Sequence, residues 1–297
     1  MFSKKSVLSV FSLFILVMVV PTPSHGNNCN AKAFRNMDFS RQISTNDDII
    51  PGEFLNKREA QPHSAPYIVS LQQITPTGER VHFCAGTIIN EHWILTAAHC
   101  LPSREIVQNS IIVAGCHELY QCNKNSCQRR TIDNYVVHNL YTGGIAPYDI
   151  ALIYTKKPFT WTRSVQKVNM PEEDSIPTGR GVLFGWGNIS TTRVPWFPTR
   201  LQRENMPIIE LELCEKVLGP MGYSLHHTNL CTGPLTGGKS ICNSDSGGPL
   251  IQDDIIVGIV SWGKMPCGQV NAPSVYVRVS AFVDWIKEQT SGCCESS

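Results

Sequence analysis

The sequence has little charge of either sign and almost no imbalance between the two signs. Only 16% of its 297 residues are charged, and 25 basic side chains nearly cancel 24 acidic ones. A surface that binds nucleic acid or an anionic membrane needs an excess of positive charge, so neither partner is expected. Because 42% of the residues are apolar, the composition is that of a globular protein and excludes disorder as the main state.

Long apolar runs are missing after the N-terminal region, and no later segment is apolar enough to span a bilayer. Two lysines precede an apolar run from about Val7 to Val20, and small residues follow at 24–26. This order is typical of a cleaved signal peptide. A membrane anchor is the alternative, but the run is shorter than the ~20 residues that a spanning helix needs. We therefore predict that residues 1–26 are a signal peptide and that the protein is secreted, extracellular and free of the membrane after cleavage.

Paired C-x-x-C spacing, the usual sign of a zinc site, is also missing among the twelve cysteines. Cys116, Cys122 and Cys127 lack that spacing, and His226-His227 has no cysteines at the distance typical of a zinc finger. We predict no metal and no cofactor. In a secreted chain the cysteines are instead expected to form disulfides, because the compartment is oxidising.

The chain changes character along its length. Residues 27–53 are polar and have little periodicity, which indicates a pro-segment or linker. Short β-rich runs separated by Gly, Pro and Asn follow, and they form two sets at about 54–165 and 178–280, which predicts two β units. Near the end, Ser280 is expected to cap a helix with one apolar stripe, and residues 291–297 are a tail.

Three short motifs carry far more specific information. They are Leu95-Thr96-Ala97-Ala98-His99-Cys100, Tyr148-Asp149-Ile150-Ala151-Leu152 and Asp245-Ser246-Gly247-Gly248-Pro249-Leu250. Each resembles a segment of the chymotrypsin (trypsin-like) serine peptidase family, in the family's His, Asp, Ser order. The resemblance covers about Phe54 to Gln289 and implies an all-β domain at 54–290, with two six-stranded antiparallel β-barrels, a C-terminal α-helix and an active site between the barrels.

The chemistry requires these residue types. A serine hydroxyl is a poor nucleophile until a base accepts its proton, so Ser246 needs His99 within hydrogen-bond reach. Asp149 is expected to be buried, to fix the His99 tautomer and to stabilise the imidazolium that forms during attack on a peptide carbonyl. Because Ser comes last, the Ser-Asp-His order of the α/β-hydrolases is excluded. Protein or peptide substrates are the implied partners, with an activating protease and protein inhibitors as further partners.

The resemblance also implies which residues contact the substrate. Ser240 stands at the base of the pocket for the residue before the scissile bond (P1), where trypsin-type members have an aspartate. A buried P1 cation would be uncompensated there, so a tryptic preference is disfavoured. The two expected wall positions are Gly263 and Ser274, which predict a medium or large apolar P1 side chain, and Trp262 is a further expected substrate contact. Ser261 is expected to pair with the substrate backbone.

By the same resemblance, three disulfides are implied: Cys84–Cys100, Cys214–Cys231 and Cys242–Cys267. Six cysteines then remain, and fifteen connectivities of these are left open. They are Cys29, Cys116, Cys122, Cys127, Cys293 and Cys294.

Two features depart from the family pattern. Ser244 replaces the usual glycine whose N–H joins that of Ser246 in the oxyanion hole, and its Cβ disfavours positive φ. In the family, a freed N-terminal ammonium pairs with the residue equivalent to Asp245. Here the matching position begins at Phe54, with a rival start at Ile49, and neither follows Arg or Lys. A tryptic activator is disfavoured, which leaves an acidic-residue-specific activator or no activation at all.

Two hypotheses about function follow. We favour a secreted endopeptidase made as a zymogen over a catalytically weak homologue that acts as a binding or regulatory protein. Asn188-Ile189-Ser190 is an N-glycosylation sequon in a predicted surface loop. Lys57-Arg58 is interpreted as a solvated pair rather than a processing site.

Overall fold

The computed structural model describes residues 54–121 and 127–291. The predicted signal peptide 1–26, the pro-segment 27–53 and the tail beyond residue 291 lie outside this part of the chain. The same holds for Cys29, Cys122, Cys293, Cys294 and the rival start at Ile49. Among the described residues, no helix has the length and apolar character needed to cross a membrane.

The first half of the domain forms an antiparallel sheet whose strands are β2 (Ile68–Ile74), β3 (Arg80–Ile88), β4 (Trp93–Thr96), β5 (Ser110–Ala114), β6 (Gln128–Thr131), β7 (Asn134–Val137) and β8 (Ala151–Tyr154). Their order in the sheet is β6-β5-β2-β3-β4-β8-β7. All four residues of β4 are buried, as are the first three of β8. These continuous apolar runs place the core inside the sheet, and the two strands pair through Thr96 and Ala151.

The strands of the second half are β9 (Arg180–Gly185), β10 (Gln202–Ile209), β11 (Asn229–Thr232), β12 (Pro249–Gln252), β13 (Ile255–Gly263) and β14 (Ser274–Arg278). They form a closed ring of six strands, because β10 pairs with both β9 and β11. The short strand β1 (Arg58–Glu59) adds to β10 at its edge. This mostly β architecture confirms the predicted fold class.

The described residues also form three α-helices: α1 (Arg104–Gln108), α2 (Leu211–Leu218) and α3 (Val283–Ser291). The predicted C-terminal helix is therefore present, but Ser280 does not begin it. Ser280 lies in a 3₁₀ turn at Val279–Phe282, and its hydroxyl donates to the carbonyl of Ser175 at 2.6 Å. The Ser280 hydroxyl, which we expected to cap the helix, therefore bonds to a residue distant in sequence instead.

The structure contains the three disulfides that the resemblance implied, Cys84–Cys100, Cys214–Cys231 and Cys242–Cys267. The thiol of Cys116 is free and buried, 3.1 Å from the Sγ of Cys127. Burial raises the pKa of the Cys116 thiol to about 12, so the thiol stays protonated at neutral pH.

Candidate active site

His99 and Asp149 meet between the two sheets. His99 lies in a 3₁₀ turn that follows β4, and Asp149 lies two residues before β8, so the pairing of these strands brings the two together. The carboxylate accepts two hydrogen bonds from His99, from Nδ1 at 2.7 Å and from the backbone N–H at 2.9 Å. Asp149 is 1% exposed. Because Nδ1 donates, the neutral ring leaves Nε2 without a proton and able to accept one.

A third hydrogen bond to Asp149 comes from the other sheet. The hydroxyl of Ser261 donates to Oδ2 at 2.6 Å. Ser261 lies in β13 where the pairing with β14 shifts register between Val260 and Trp262, and such a bulge redirects a side chain. The hydroxyl of Ser261 thus fixes Asp149, and the pairing of the Ser261 backbone with substrate stays a prediction.

The environment of His99 favours its protonated form. Burial alone would lower the pKa of His99, but the charge of Asp149 and the hydrogen bond to it together outweigh burial and raise that pKa above its usual value. A raised pKa strengthens the imidazole as a base, which suits proton transfer from a hydroxyl.

The turn that carries Ser246 packs against the segment that precedes His99. The carbonyl of Ser246 accepts from the N–H of Ala85 at 2.8 Å. At Gly247, whose φ is +74°, an added Cβ would press on the Thr96 side chain and lie 3.2 Å from the backbone nitrogen of Ala97. The close approach therefore requires glycine, and it places the serine turn beside the histidine turn.

Ser244 adopts the backbone conformation that sequence analysis considered unfavourable for it, with φ at +71°. Its carbonyl accepts a hydrogen bond from Nε2 of His82 at 3.0 Å. The other ring nitrogen of His82 accepts from the hydroxyl of Ser70 at 2.8 Å, and Ser70 in turn accepts from the side-chain amide of Gln72. Burial lowers the pKa of His82 to about 4, so this chain of neutral groups persists at neutral pH and holds Ser244 in place.

Replacing Ser244 by glycine is expected to stabilise the fold by about 1 kcal/mol, because glycine adopts positive φ without a clash at Cβ. Turnover should rise by less than about tenfold, roughly 1.4 kcal/mol, because the hydrogen bond from His82 already holds this conformation. Urea unfolding and peptide hydrolysis measure the two effects. Asp253→Gly is the matched control, since Asp253 has φ +49° in the β12–β13 turn and should change stability only. A gain of 10²-fold or more in turnover would contradict this expectation.

The predicted P1 pocket has an uncharged base. Ser240 and Ser274 are 2% and 1% exposed, and their hydroxyls lie 3.3 Å apart. The Ser240 hydroxyl donates to the carbonyl of Ile241 at 2.7 Å, and the Ser274 hydroxyl accepts from the Ile241 N–H at 3.1 Å. Both hydroxyls are thus engaged within the protein.

Ile241 packs against the predicted wall of the pocket, and its sequence motif did not indicate this contact. A Cβ placed on Gly263 would lie 3.3 Å from Cγ1 of Ile241, which is itself 3% exposed. Trp262 is buried and stacks on Tyr223 with ring centroids 5.1 Å apart. The position of Ile241, next to the pocket-base serine, is the signal that could have identified it.

Asp245 is fully buried and receives hydrogen bonds from the backbone N–H groups of Gly187 and Cys242, each at 2.9 Å. Its carboxylate also forms an ion pair with Nζ of Lys57, whose side chain is 2% exposed. The expectation of a solvated Lys57-Arg58 pair is therefore wrong for Lys57, although Arg58 is exposed. The lysine is drawn inward because a buried carboxylate requires a counter-charge.

The prediction that Asn188 lies in a surface loop is also wrong. Asn188 is 2% exposed, and its side-chain oxygen accepts from the N–H groups of Ser190 and Trp196 at 2.9 and 2.7 Å. Both hydrogen bonds engage the side-chain oxygen, whereas a glycan would attach to Nδ2. The structure therefore contradicts the surface loop, and glycosylation at Asn188 stays a prediction.

An Asp–His pair beside a serine turn, set between two antiparallel β units, defines a chymotrypsin-like serine endopeptidase. Comparison with known proteins agrees. The family model described as Trypsin matches residues 54–286. The chain is 38% identical to lectizyme of Glossina austeni over 80% of this chain and 86% of that protein. It is 34% identical to trypsin Blo t 3 of Blomia tropicalis (80% and 85%) and 30% identical to human kallikrein-4 (80% and 87%). The chain belongs to the trypsin family of serine endopeptidases.

Proposed function

We propose that this chain is a secreted endopeptidase that cleaves protein or peptide substrates after apolar residues through an acyl-enzyme at Ser246. The observation that carries the catalytic part is the pair of hydrogen bonds from His99 to a buried Asp149. In this proposal, Nε2 of His99 takes the proton of Ser246 as the hydroxyl attacks the peptide carbonyl. The N–H groups of Ser244 and Ser246 stabilise the oxyanion, and His99 then protonates the leaving amine.

A fluorophosphonate probe tests this mechanism, because it reacts only with an activated serine. We expect the probe to attach to the peptide that contains Ser246 and to nothing in heat-denatured protein. The alternative function, a catalytically weak binding protein, is favoured only by the strained backbone of Ser244. Failure of the native, processed protein to react with the probe would reject the peptidase and favour the alternative.

The apolar specificity is supported by the uncharged base of the pocket and by Ile241, which packs against the predicted wall. A Lys or Arg side chain bound there would bury its charge without a partner, at a cost of about 3–5 kcal/mol. Peptide substrates that differ only at P1 should therefore show kcat/KM at least about 10²-fold higher for leucine or phenylalanine than for arginine.

Ser240→Asp is the matched variant for this prediction, because it adds a carboxylate at the pocket base and changes little else. We expect this variant to gain cleavage after arginine and to lose cleavage after leucine. Preference of the unaltered protein for arginine would contradict the specificity while leaving the peptidase intact.

The zymogen and the secreted location are further parts of the proposal. The signal peptide predicted at residues 1–26 supports secretion. The pro-segment predicted at residues 27–53 supports synthesis as a precursor, with an activating protease and protein inhibitors as partners.

A further inference from the structure

The ion pair between Lys57 and Asp245 lies at the base of the loop that carries Ser244 and Ser246. Both side chains are almost completely buried, at 2% and 0% exposure. Glycine at 185 and 187 leaves the space for the carboxylate, because a Cβ at either position would collide with it. The site is therefore shaped around one charged pair.

Three consecutive residues, 55–57, place the ammonium of Lys57 beside Asp245. The N–H of Leu55 donates to the carbonyl of Ile189 at 2.7 Å, and that of Asn56 donates to Gly238 at 3.0 Å. Leu55 is 4% exposed and packs on the Cys242–Cys267 disulfide. These contacts dock residues 55–57 in the register that aims Lys57 at Asp245, and none of them involves a chain terminus.

The Lys57–Asp245 ion pair also affects the orientation of the two oxyanion donors, the N–H groups of Ser244 and Ser246. Asp245 is the residue between Ser244 and Ser246, and its backbone bonds to the carbonyl of Cys242 and the N–H of Gly248, both at 3.0 Å. Without Lys57 the buried carboxylate would lack a counter-charge, which is strongly unfavourable in the protein interior. The carboxylate would turn toward water to avoid this cost, and the two neighbouring N–H groups would turn with it.

We propose that Lys57 is a positioning residue that orders the oxyanion loop in the intact chain, so that peptidase activity does not require cleavage before Phe54. The proposal rests on the peptidase activity of the proposed function and departs from its zymogen part: the precursor still carries the pro-segment, but its activity does not depend on an activating protease. The internal ammonium performs the role that the family resemblance assigns to a freed N-terminus. Consistent with this, Phe54 follows Glu53 rather than Arg or Lys.

The first experiment asks whether the intact chain is active. The full chain is secreted with an affinity tag placed after the signal peptide, treated with a fluorophosphonate probe and separated under reducing conditions. One band that carries both the tag and the probe supports the proposal, because reduction releases any segment held only by a disulfide. If only tag-free protein reacts, the proposal fails while the proposed function stands. If neither form reacts, the proposed function itself fails.

The second experiment removes the charge. Lys57→Met keeps the side-chain length but not the ammonium, and we expect kcat of the tagged, intact form to fall by about 10²- to 10³-fold, the scale of a lost oxyanion donor. KM should change by less than about threefold, because the P1 pocket retains its own contacts. Lys57→Arg restores the charge and should recover at least tenfold of the loss. Arg58→Met, a change at the exposed neighbour, should have no effect.

Hydrogen exchange keeps the second experiment decisive if the Lys57→Met variant is less stable. We expect faster amide exchange in the peptide 243–248 and unchanged exchange in β8, which lies in the other sheet. Unchanged exchange at 243–248 together with unaltered kcat would overturn the proposal. Loss of protection throughout the domain would assign Lys57 to stability alone and would also overturn it.

Discussion

Replacing Ser246 by alanine is expected to lower kcat by about 10⁶-fold, the scale typical of losing the nucleophile of a Ser-His-Asp triad. The fold should survive, because the backbone of Ser246 keeps its hydrogen bond to Ala85 and the adjacent Gly247 keeps its close packing. Single-turnover hydrolysis of a peptide p-nitroanilide measures the loss, and thermal unfolding verifies the fold. Ser291→Ala, at the exposed end of α3, is the matched control and should retain full activity.

The residual rate of the Ser246→Ala variant carries further information. If the three side chains act as one unit, adding Asp149→Asn to Ser246→Ala should change the residual rate by less than about threefold. If the side chains contributed independently, the rate losses of the two single variants would instead multiply. A double variant that is slower by several orders of magnitude than Ser246→Ala would contradict the triad as a unit.

Asp149→Asn by itself is expected to lower kcat by about 10⁴-fold. Asparagine can offer its N–H₂ group to Nδ1 of His99, which favours the tautomer whose Nε2 carries a proton and cannot act as a base. The hydroxyl of Ser261 also loses a charged acceptor. Asp284→Asn is the control, because Asp284 is exposed on α3, and it should leave kcat unchanged.

The pH profile gives an independent test of the Asp149–His99 pair. His99 works as a base only when neutral, so kcat/KM should fall as the pH drops through the pKa of His99, which the carboxylate raises above 6.5. Without the negative charge at residue 149 only burial acts, and burial lowers that pKa. The acid limb of Asp149→Asn should therefore shift to lower pH. If the acid limb of the kcat/KM profile does not shift in Asp149→Asn, a group other than His99 determines that limb.

Local motifs made much of the site predictable. The motifs around His99, Asp149 and Ser246 depend on a strand end, a tight turn and adjacent glycines. Residues next to one another in the sequence determine each of these features. Strand periodicity similarly predicted the β units, and the family resemblance implied the three disulfides. The motifs and the periodicity share one physical basis, because short-range sterics and hydrogen bonding determine both.

The predictions that failed concern side chains whose partners are distant in sequence. Lys57 looked like half of a solvated pair, yet its counter-ion lies 188 residues away. Asn188 was expected to lie in a surface loop, but its side chain closes a buried turn. Ser280 was expected to cap a helix, but its hydroxyl donates to the carbonyl of Ser175 instead. In each case a residue type allows several partners, and only the tertiary structure selects one.

The sequence by itself determined the family, the β architecture and the chemical groups available at the site, because these follow from composition, periodicity and contiguous motifs. Only the tertiary structure decided which charge neutralises Asp245, which side chain packs against Gly263, and how Ser244 is held at positive φ. The physical reason is burial. The cost of enclosing a charge or a polar group depends on every neighbour that the fold assembles around it, and those neighbours come from both halves of the chain.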